Sequence, residues 1–216
     1  MVKNQIYSLW PIYIGEFYNP EHQEIKDDLI KFFKEYEKTN PKGRDGENKE
    51  NYNLYESNYD LHHEKNDSLS KLLSFIAKSF LSMSNSTNKK FIDRLKNTKP
   101  SFDVRINNSW FIRYNKSGSV LPHDHGRCSW CCVYYVQIGK DASNDNGSTY
   151  FLRPYQRKSP EDFGGSLYSS GGNAVFKAEE GKLLVWPNFI VHGSNPYEGE
   201  KNRIIVSANA SVHLSK

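Results

Sequence analysis

The sequence has no apolar run long enough to cross a membrane. Its longest runs, such as Cys131 to Val136, are far shorter than the roughly 20 residues that a spanning helix needs. The N-terminus, Met1 to Gln5, has neither a long apolar stretch nor a small-residue cleavage site, so we expect no signal peptide. These absences predict a cytoplasmic protein with no membrane association.

A concentrated charge of one sign is also missing. The chain has 29 basic and 25 acidic residues, and they are scattered, so the formal net charge is only +4. Nucleic-acid-binding proteins usually gather their basic residues into a patch or stripe. The sequence therefore carries no clear nucleic-acid signal.

Cysteine is scarce, with three residues at Cys128, Cys131 and Cys132. The spacing of the first two invites a zinc site, but a closed zinc site needs two further ligands, and there is no second cysteine pair. Cys131 and Cys132 lie in a strand-like run, where they would face opposite sides. We favour buried, unliganded thiols over the zinc interpretation.

Aromatic residues are plentiful at 14%, which predicts a packed, β-rich core. The 216 residues are enough for one well-buried domain. We expect residues 1–101 to supply N-terminal strands and supporting helices, and residues 102–216 to form the core.

Two helices are predicted in the N-terminal half. The first opens after Asn19-Pro20, stops near Asn40-Pro41, and has an apolar stripe that includes Ile25, Leu29 and Phe33. The second runs from about Asp67, a plausible N-cap, to Met83. Residues 6–17 read as one or two strands, residues 41–53 as an exposed loop, and residues 91–95 as a further helical turn.

From residue 102 onward, strand-like runs alternate with turn clusters. The runs cover 102–114, 129–138, 148–153, 174–178, 182–186 and 203–212. Short strands at this spacing are typical of an all-β barrel or sandwich. The fold class expected is α+β, mainly β: a jelly roll with an N-terminal helical layer.

Three of the seven histidines are informative. His123 and His125 are two residues apart, so in an extended chain both would project from the same face. His192 follows an apolar strand that ends at Pro187, and it is the best candidate for a third ligand. Three ligands on one face of a metal ion would leave positions open for substrate and oxygen.

The order of these pieces resembles the 2-oxoglutarate/iron(II) dioxygenase superfamily, and most closely the small oxygenases common in marine bacteria and their phages. The similar region covers roughly residues 105–212, about half of the chain. It is carried by Asn108-Ser109-Trp110, Tyr114, His123-Asp124-His125, Val133-Tyr134-Tyr135-Val136, Gly181-Lys182-Leu183-Leu184-Val185-Trp186-Pro187, His192, Arg203 and Asn209. The opening Leu9-Trp10-Pro11-Ile12 is similar as well.

The resemblance implies a double-stranded β-helix with iron(II) held by His123, His125 and His192. It also implies that Arg203 pairs with the distal carboxylate of 2-oxoglutarate. A hydroxyl often stands two residues beyond that arginine, but this chain has Ile205 there. The nearest hydroxyl on the same face is Ser207, and Tyr114 is a second candidate for the hydrogen bond.

This chain departs from the superfamily at the second ligand, which is usually a carboxylate. Asp124 is the alternative to His125, but consecutive strand residues face opposite sides unless the chain bulges. The glycine-rich segment from Arg157 to Asn173 is either a lid over the metal or an ordinary surface connection.

The resemblance implies an enzyme, a hydroxylase that converts 2-oxoglutarate to succinate and carbon dioxide. The substrate is a small molecule or a peptide that the sequence does not identify, and the oligomeric state is equally open. Two alternatives remain: a cupin-type metal enzyme that does not use 2-oxoglutarate, and a non-catalytic binding module. Arg203 argues against the first alternative, and the intact histidine trio argues against the second.

Overall fold

The computed structural model describes residues 11–44, 53–94, 101–154 and 172–215. Helices occupy the N-terminal half of the chain and strands dominate the C-terminal half. In chain order the elements are β1 Gly15–Tyr18, α1 His22–Thr39, β2 Leu54–Glu56, a short 3-10 helix at Leu61–His63, α2 Asp67–Thr87, α3 Lys89–Arg94, β3 Ser101–Tyr114, β4 Gly118–His123, β5 Trp130–Gln137, β6 Thr149–Phe151, β7 Ala174–Phe176, β8 Lys182–Pro187, β9 His192–Tyr197 and β10 Arg203–Ser215.

The strands form two antiparallel sheets. The larger has six strands in the order β1-β8-β5-β10-β3-β2, and the smaller has four in the order β4-β9-β6-β7. This confirms the predicted fold class, a double-stranded β-helix with an N-terminal helical layer. The chain's first two strands lie at opposite edges of the larger sheet, so the N-terminal half completes that sheet.

Side-chain alternation along β10 divides the core in two. Ile204, Val206 and Ala208 belong to the apolar cluster that also contains the helices, whereas Ile205 belongs to a second cluster on the opposite face of the sheet. Arg203 and Ser207 have the same parity as Ile205, and both line a cavity on that second face. The period of two therefore places the polar residues of this strand on the cavity side.

The two long helices cover the outer face of the larger sheet. Each buries residues three or four positions apart, such as Ile25, Leu29 and Phe33 in α1. The Phe33 ring stacks on Phe111 of β3 with their centres 4.3 Å apart. Both predicted helices are confirmed, and α3 matches the predicted helical turn as far as Arg94.

The start of α2 differs from the prediction by one residue. Asn66 is the N-cap, with extended backbone angles and a side-chain oxygen that accepts a hydrogen bond from the Leu69 N–H at 2.8 Å. Asp67 is already the first helical residue, so its assignment as the cap was wrong. The helix also continues to Thr87, four residues beyond the predicted end.

The six predicted strands from residue 102 onward are confirmed with small shifts at their ends. Three strands were missed: β2, β4 and β9. The last two are polar and each contains a proline, features that normally argue against a strand. They pair with each other in the smaller sheet, and they carry His123 and His192.

Only part of three other predicted segments is described. Strand β1 overlaps the end of the predicted strand at 6–17, whose first residues lie outside the described ranges. Most of the predicted loop at 41–53 and of the glycine-rich segment at 157–173 also lies outside them. Within the described ranges, no helix is both long and apolar enough to span a membrane.

Candidate metal centre

Three histidines from two separate parts of the chain meet at one point. His123 is the last residue of β4 and His192 is the first residue of β9, and the two are direct partners in the antiparallel ladder. The ring nitrogens of His123, His125 and His192 that could bind a metal all lie within 4.8 Å of one another. The sequence prediction had placed these same three residues together.

His125 reaches the cluster by a different route from the one predicted. Strand β4 ends at His123, so His125 lies in the following loop and the alternation argument was wrong for it. Its backbone N–H donates to the Asn188 carbonyl at 3.1 Å, which ties this loop to the turn before β9. Its Nε2 lies 3.3 Å from the Nε2 of His192. Two imidazoles bound to one ion at about 2.1 Å and at right angles would be separated by about 3 Å.

Backbone carbonyls orient the other two rings. The Nδ1–H of His123 donates to the Leu121 carbonyl at 2.8 Å, and the Nδ1–H of His192 donates to the Ile190 carbonyl at 2.9 Å. A proton held on Nδ1 leaves the Nε2 lone pair available. Hydrogen bonds of this kind fix the tautomer and the orientation of metal-binding histidines.

Burial keeps two of these rings neutral. Burial, together with the nearby imidazole of His123, lowers the pKa of His125 to about 4 and that of His192 to about 3. Asp124 acts in the opposite direction on the pKa of His125. A neutral imidazole is the form that binds a metal, so these two ligand atoms remain available in mildly acidic solution.

Asp124 lies beside the cluster but is not part of it. Its side chain is exposed, and its carboxylate is not among the grouped ligand atoms of the three histidines. The arrangement in the described residues is therefore a set of three imidazoles, and the alternative with Asp124 is not the one that the structure brings together. The cysteines also lie outside this group.

Aromatic rings enclose the buried side of the histidines. Trp186 packs edge-on against His192 with ring centres 4.6 Å apart, and Trp110 lies roughly parallel to His125 at 5.9 Å. Gly193 allows β9 to approach β4 closely, because a Cβ there would lie 2.9 Å from the Val120 carbonyl oxygen. These contacts restrict the rotation of the ligand rings and keep bulk water from their inner side.

The cavity that contains the three histidines also contains Arg203. Its volume is about 560 Å³, and its walls include the histidines, Arg203, Tyr114 and Ser207. Arg203 is only 1% exposed, yet its Nε and Nη1 atoms have no hydrogen-bond partner among the described residues. Glu198 and Glu200, two acidic residues shortly before it in the chain, are exposed, and neither pairs with the Nε or Nη1 atom of Arg203.

Lys182, another buried cation, has the carboxylate partners that Arg203 lacks among the described residues. Lys182 is 3% exposed, and its Nζ lies 2.9 Å from a Glu179 oxygen and 3.3 Å from a Glu16 oxygen. Removing a charge from water costs several kcal/mol unless a counter-charge compensates for it. Among the described residues, Arg203 has aromatic neighbours and no ion-pair partner, so its environment is incomplete without an anion.

The two candidate hydroxyls lie at different levels along β10. Tyr114 is the direct cross-strand partner of Arg203, whereas Ser207 is the partner of Trp110, whose ring lies on His125. Four residues of strand separate the two positions, which is about 13 Å. Tyr114 therefore lies with the arginine, and Ser207 lies toward the histidine end of the cavity.

A hydroxyl pair near Arg203 was missed from the sequence. Tyr135 and Thr149 share a hydrogen bond of 2.7 Å, and the Arg203 guanidinium carbon is 5.6 Å from the centre of the Tyr135 ring. Thr149 also lines the cavity. The two residues come from different sheets, so only the tertiary fold brings them together, although Tyr135 lies in a segment that carried the family resemblance.

Residues 108–209 match the family model described as "Putative 2OG-Fe(II) oxygenase". No curated protein sequence matches the chain. Together with the fold, the family match confirms the resemblance to 2-oxoglutarate/iron(II) oxygenases.

Several solved structures share the fold at low identity. AviO1 from Streptomyces viridochromogenes is 10% identical with a TM-score of 0.57, over 93% of this chain and 90% of that chain. HygX from Streptomyces hygroscopicus, with nickel and 2-oxoglutarate bound, is 11% identical with a TM-score of 0.53, over 91% and 82% of the two chains. A Pseudomonas putida prolyl-4-hydroxylase is 11% identical with a TM-score of 0.50, over 93% and 92%. For HygX with nickel, 2-oxoglutarate and hygromycin B, the match covers 50% of this chain and only 56% of that chain.

Proposed function

We propose that this chain, whose residues 108–209 match the 2OG-Fe(II) oxygenase family, is an oxygenase that uses iron(II) and 2-oxoglutarate to hydroxylate a small-molecule or peptide substrate. The observation that carries the proposal is a single cavity lined by three clustered imidazoles and by a buried arginine with unpaired N–H groups. The histidine cluster fits iron(II), and the arginine fits 2-oxoglutarate.

The histidine cluster fits iron(II). Imidazole nitrogen is a suitable donor for iron, and three protein ligands leave further coordination positions open. The carbonyls of Leu121 and Ile190 hold two of the rings with Nε2 directed away from the backbone. His123, His125 and His192 would thus hold the ion before any co-substrate enters.

Arg203 fits the distal carboxylate of 2-oxoglutarate. Its Nε–H and Nη1–H groups have no partner among the described residues, and a guanidinium forms strong charged hydrogen bonds with a carboxylate. Tyr114 lies beneath the guanidinium, and the Tyr135–Thr149 pair lies to one side. These residues would fix the far end of a dicarboxylate whose other end faces the histidines.

When bound, iron(II) and 2-oxoglutarate supply the oxidation: oxygen is activated, 2-oxoglutarate is decarboxylated to succinate, and one oxygen atom enters the substrate. The protein contributes position and environment. Trp110 and Trp186 keep water from the inner side of the ligand rings. Arg203 fixes the orientation of the co-substrate, so that the remaining space of the cavity is left for the substrate.

The test is the binding and turnover of 2-oxoglutarate by the full chain. Under anaerobic conditions the iron(II) protein should bind one 2-oxoglutarate per chain and develop a metal-to-ligand charge-transfer absorption. On admission of oxygen it should release succinate, measured by mass spectrometry, and His192→Ala should do neither. If the metal-loaded protein binds no 2-oxoglutarate, the proposal fails and the cupin-type alternative takes its place.

A further inference from the structure

Two thiols lie in contact just beyond the loop that carries His125. The Sγ atoms of Cys128 and Cys131 are 3.6 Å apart. Cys131 is buried in β5, whereas Cys128 precedes that strand and is only half-buried, so a small reagent can reach it. A disulfide has an S–S bond of about 2.0 Å, so roughly 1.5 Å of approach would join the two sulfurs.

The third thiol is placed apart from this pair. Cys132 packs in the cluster between the larger sheet and the helices, on the opposite face of β5 from Cys131. The strand period therefore separates it from Cys128 and Cys131. It serves as an internal control, because a reagent that joins the contact pair has no geometric reason to join Cys132.

The two contacting thiols differ in reactivity. Their mutual hydrogen bond lowers the pKa of Cys128, and the same bond together with burial raises the pKa of Cys131. The thiolate is the nucleophilic form of cysteine. Cys128 is therefore the attacking thiol, and Cys131 is placed to resolve whatever adduct forms on it.

The segment between His125 and Cys128 has open space at Gly126, and the Asn107 side-chain amide donates to the Arg127 carbonyl at 3.2 Å. Arg127 has a positive φ of 56°, and a Cβ added at Gly126 would meet no atom within 4 Å. On the far side, the Ser129 N–H donates to the Ala210 carbonyl at 2.8 Å and fixes the start of β5. Since Cys131 is held in the sheet, we expect closure of the bond to draw Cys128 and the loop before it toward β5.

We propose that Cys128 and Cys131 form a reversible disulfide, and that its oxidation weakens metal binding by displacing the loop that carries His125. The disulfide is inferred from the positions of the two thiols alone. Its effect on metal binding rests on the proposed function of the histidine cluster. His125 lies three residues before Cys128, and its N–H is tied to Asn188 by a single hydrogen bond of 3.1 Å.

The oxidant is a small-molecule disulfide such as oxidised glutathione. The Cys128 thiolate attacks one of its sulfurs and displaces one glutathione thiolate, which leaves a mixed disulfide on Cys128. Cys131 then loses its proton to solvent and attacks the Cys128 sulfur, and the second glutathione thiolate leaves. Two protein thiols are oxidised to one disulfide while one glutathione disulfide is reduced to two thiols.

The first test uses the metal-free full chain, equilibrated in glutathione buffers of increasing oxidised fraction and then alkylated. Peptide mapping by mass spectrometry should show Cys128 joined to Cys131, with Cys132 alkylated after denaturation. Cys128→Ser should form no internal disulfide, and Cys132→Ala should behave as wild type. The disulfide is overturned if Cys128 and Cys131 stay alkylatable in the most oxidising buffer, if glutathione stays attached, or if Cys132 is joined instead.

The second test compares manganese(II) affinity of the reduced and oxidised chain by electron paramagnetic resonance. Manganese(II) is chosen because it prefers oxygen and nitrogen ligands to thiolates. Oxidation should weaken binding about tenfold, the scale of a disturbed ligand environment. Cys128→Ser given the same oxidising treatment should keep the affinity of the reduced wild type.

The outcomes separate the two proposals. Equal affinity in the reduced and oxidised wild type would overturn the coupling. Absence of manganese binding in both forms would overturn the coupling together with the proposed metal centre. The mapping of thiols in the metal-free chain would still decide whether the disulfide exists.

Discussion

The guanidinium carbon of Arg203 lies 4.1 Å from the centre of the Tyr114 ring, and the two residues are direct partners on adjacent strands. A desolvated cation–π contact contributes on the order of 2 kcal/mol. Burying an unpaired charge costs several kcal/mol, so the ring compensates for only part of that cost. The remainder is the physical reason to expect an anion at Arg203.

The histidine cluster should hold one metal ion per chain. We expect apoprotein to bind about one iron(II) or manganese(II), and His192→Ala to lower the affinity by more than about a hundredfold, because losing a direct ligand exceeds the loss from an outer-shell partner. Calorimetric titration measures this. His213→Ala is the matched control, since His213 is exposed and outside the cluster. Equal metal content in wild type and in a variant with all three cluster histidines replaced by alanine would refute the site.

His125 and Asp124 are adjacent, and single substitutions separate them. We expect His125→Ala to weaken metal binding at least tenfold, since its Nε2 faces that of His192. Asp124→Ala should change the affinity by no more than about threefold, since Asp124 acts only through its charge on the neighbouring imidazole. The same manganese titration measures both variants. A larger loss with Asp124→Ala than with His125→Ala would show that the carboxylate is the ligand.

Stability of the metal-free protein should fall in acid because of the buried histidines. Histidine has a pKa near 6.5 in an unfolded chain, whereas burial lowers it to about 4 at His125 and about 3 at His192. Between about pH 3 and pH 6.5 the unfolded chain therefore binds more protons than the folded one. The free energy of unfolding consequently decreases as the pH falls through this window.

Urea unfolding at pH 7 and pH 5, with chelator present, measures this loss. The two histidines should together account for on the order of 2–4 kcal/mol of it. His22 and His62 also have lowered pKa values, so wild type must be compared with the variant in which His125 and His192 are both glutamine. We expect a smaller loss in that variant. An equal loss in the two proteins would show that the clustered histidines are protonated in the folded state at pH 5.

The sequence predicted which residues form the site better than it predicted how the fold brings them together. His192 was found because it follows an apolar strand, and His123 because it stands two residues from His125. The loop position of His125 was not, because β4 ends two residues earlier and the loop is tied by a distant contact with Asn188. Periodicity describes one segment at a time and carries no information on such a contact.

The same limit applies to the arginine. The sequence shows that Arg203 begins an apolar strand. The period of two places Ser207 on the same face of that strand as Arg203. Which hydroxyl lies beside the guanidinium depends on the register between β10 and β3, where Tyr114 faces Arg203 and Trp110 faces Ser207. Register is set by pairing across the sheet, and the sequence of one strand does not reveal it.

That register yields a prediction for the two hydroxyls. We expect Tyr114→Phe to weaken 2-oxoglutarate binding by about fivefold, the effect of one hydrogen bond worth about 1 kcal/mol. Ser207→Ala should have a smaller effect, since Ser207 lies about 13 Å along the strand from the arginine. Titration of the metal-loaded variants with 2-oxoglutarate compares them directly. The reverse order of effects would place the distal carboxylate at the Ser207 end.

The variant Arg203→Met tests whether the buried guanidinium binds 2-oxoglutarate. Methionine keeps much of the side-chain volume and removes the charge. A charged hydrogen bond is worth roughly 1.5–3 kcal/mol, so the loss should weaken 2-oxoglutarate binding by at least about tenfold. Metal affinity should stay as in wild type, because the arginine is not among the clustered ligands.

Arg113→Met is the matched control for this variant. Arg113 lies on β3 next to Tyr114, and its Nε lies 2.8 Å from a Glu37 oxygen, so it already has an internal partner. Its loss should leave 2-oxoglutarate affinity unchanged. The free energy of unfolding supplies a second readout: without ligand, Arg203→Met should be as stable as wild type or more so, because it removes an uncompensated buried charge. If instead Arg203→Met binds 2-oxoglutarate as tightly as wild type and is less stable, the guanidinium has a structural partner and the assignment of the co-substrate site is wrong.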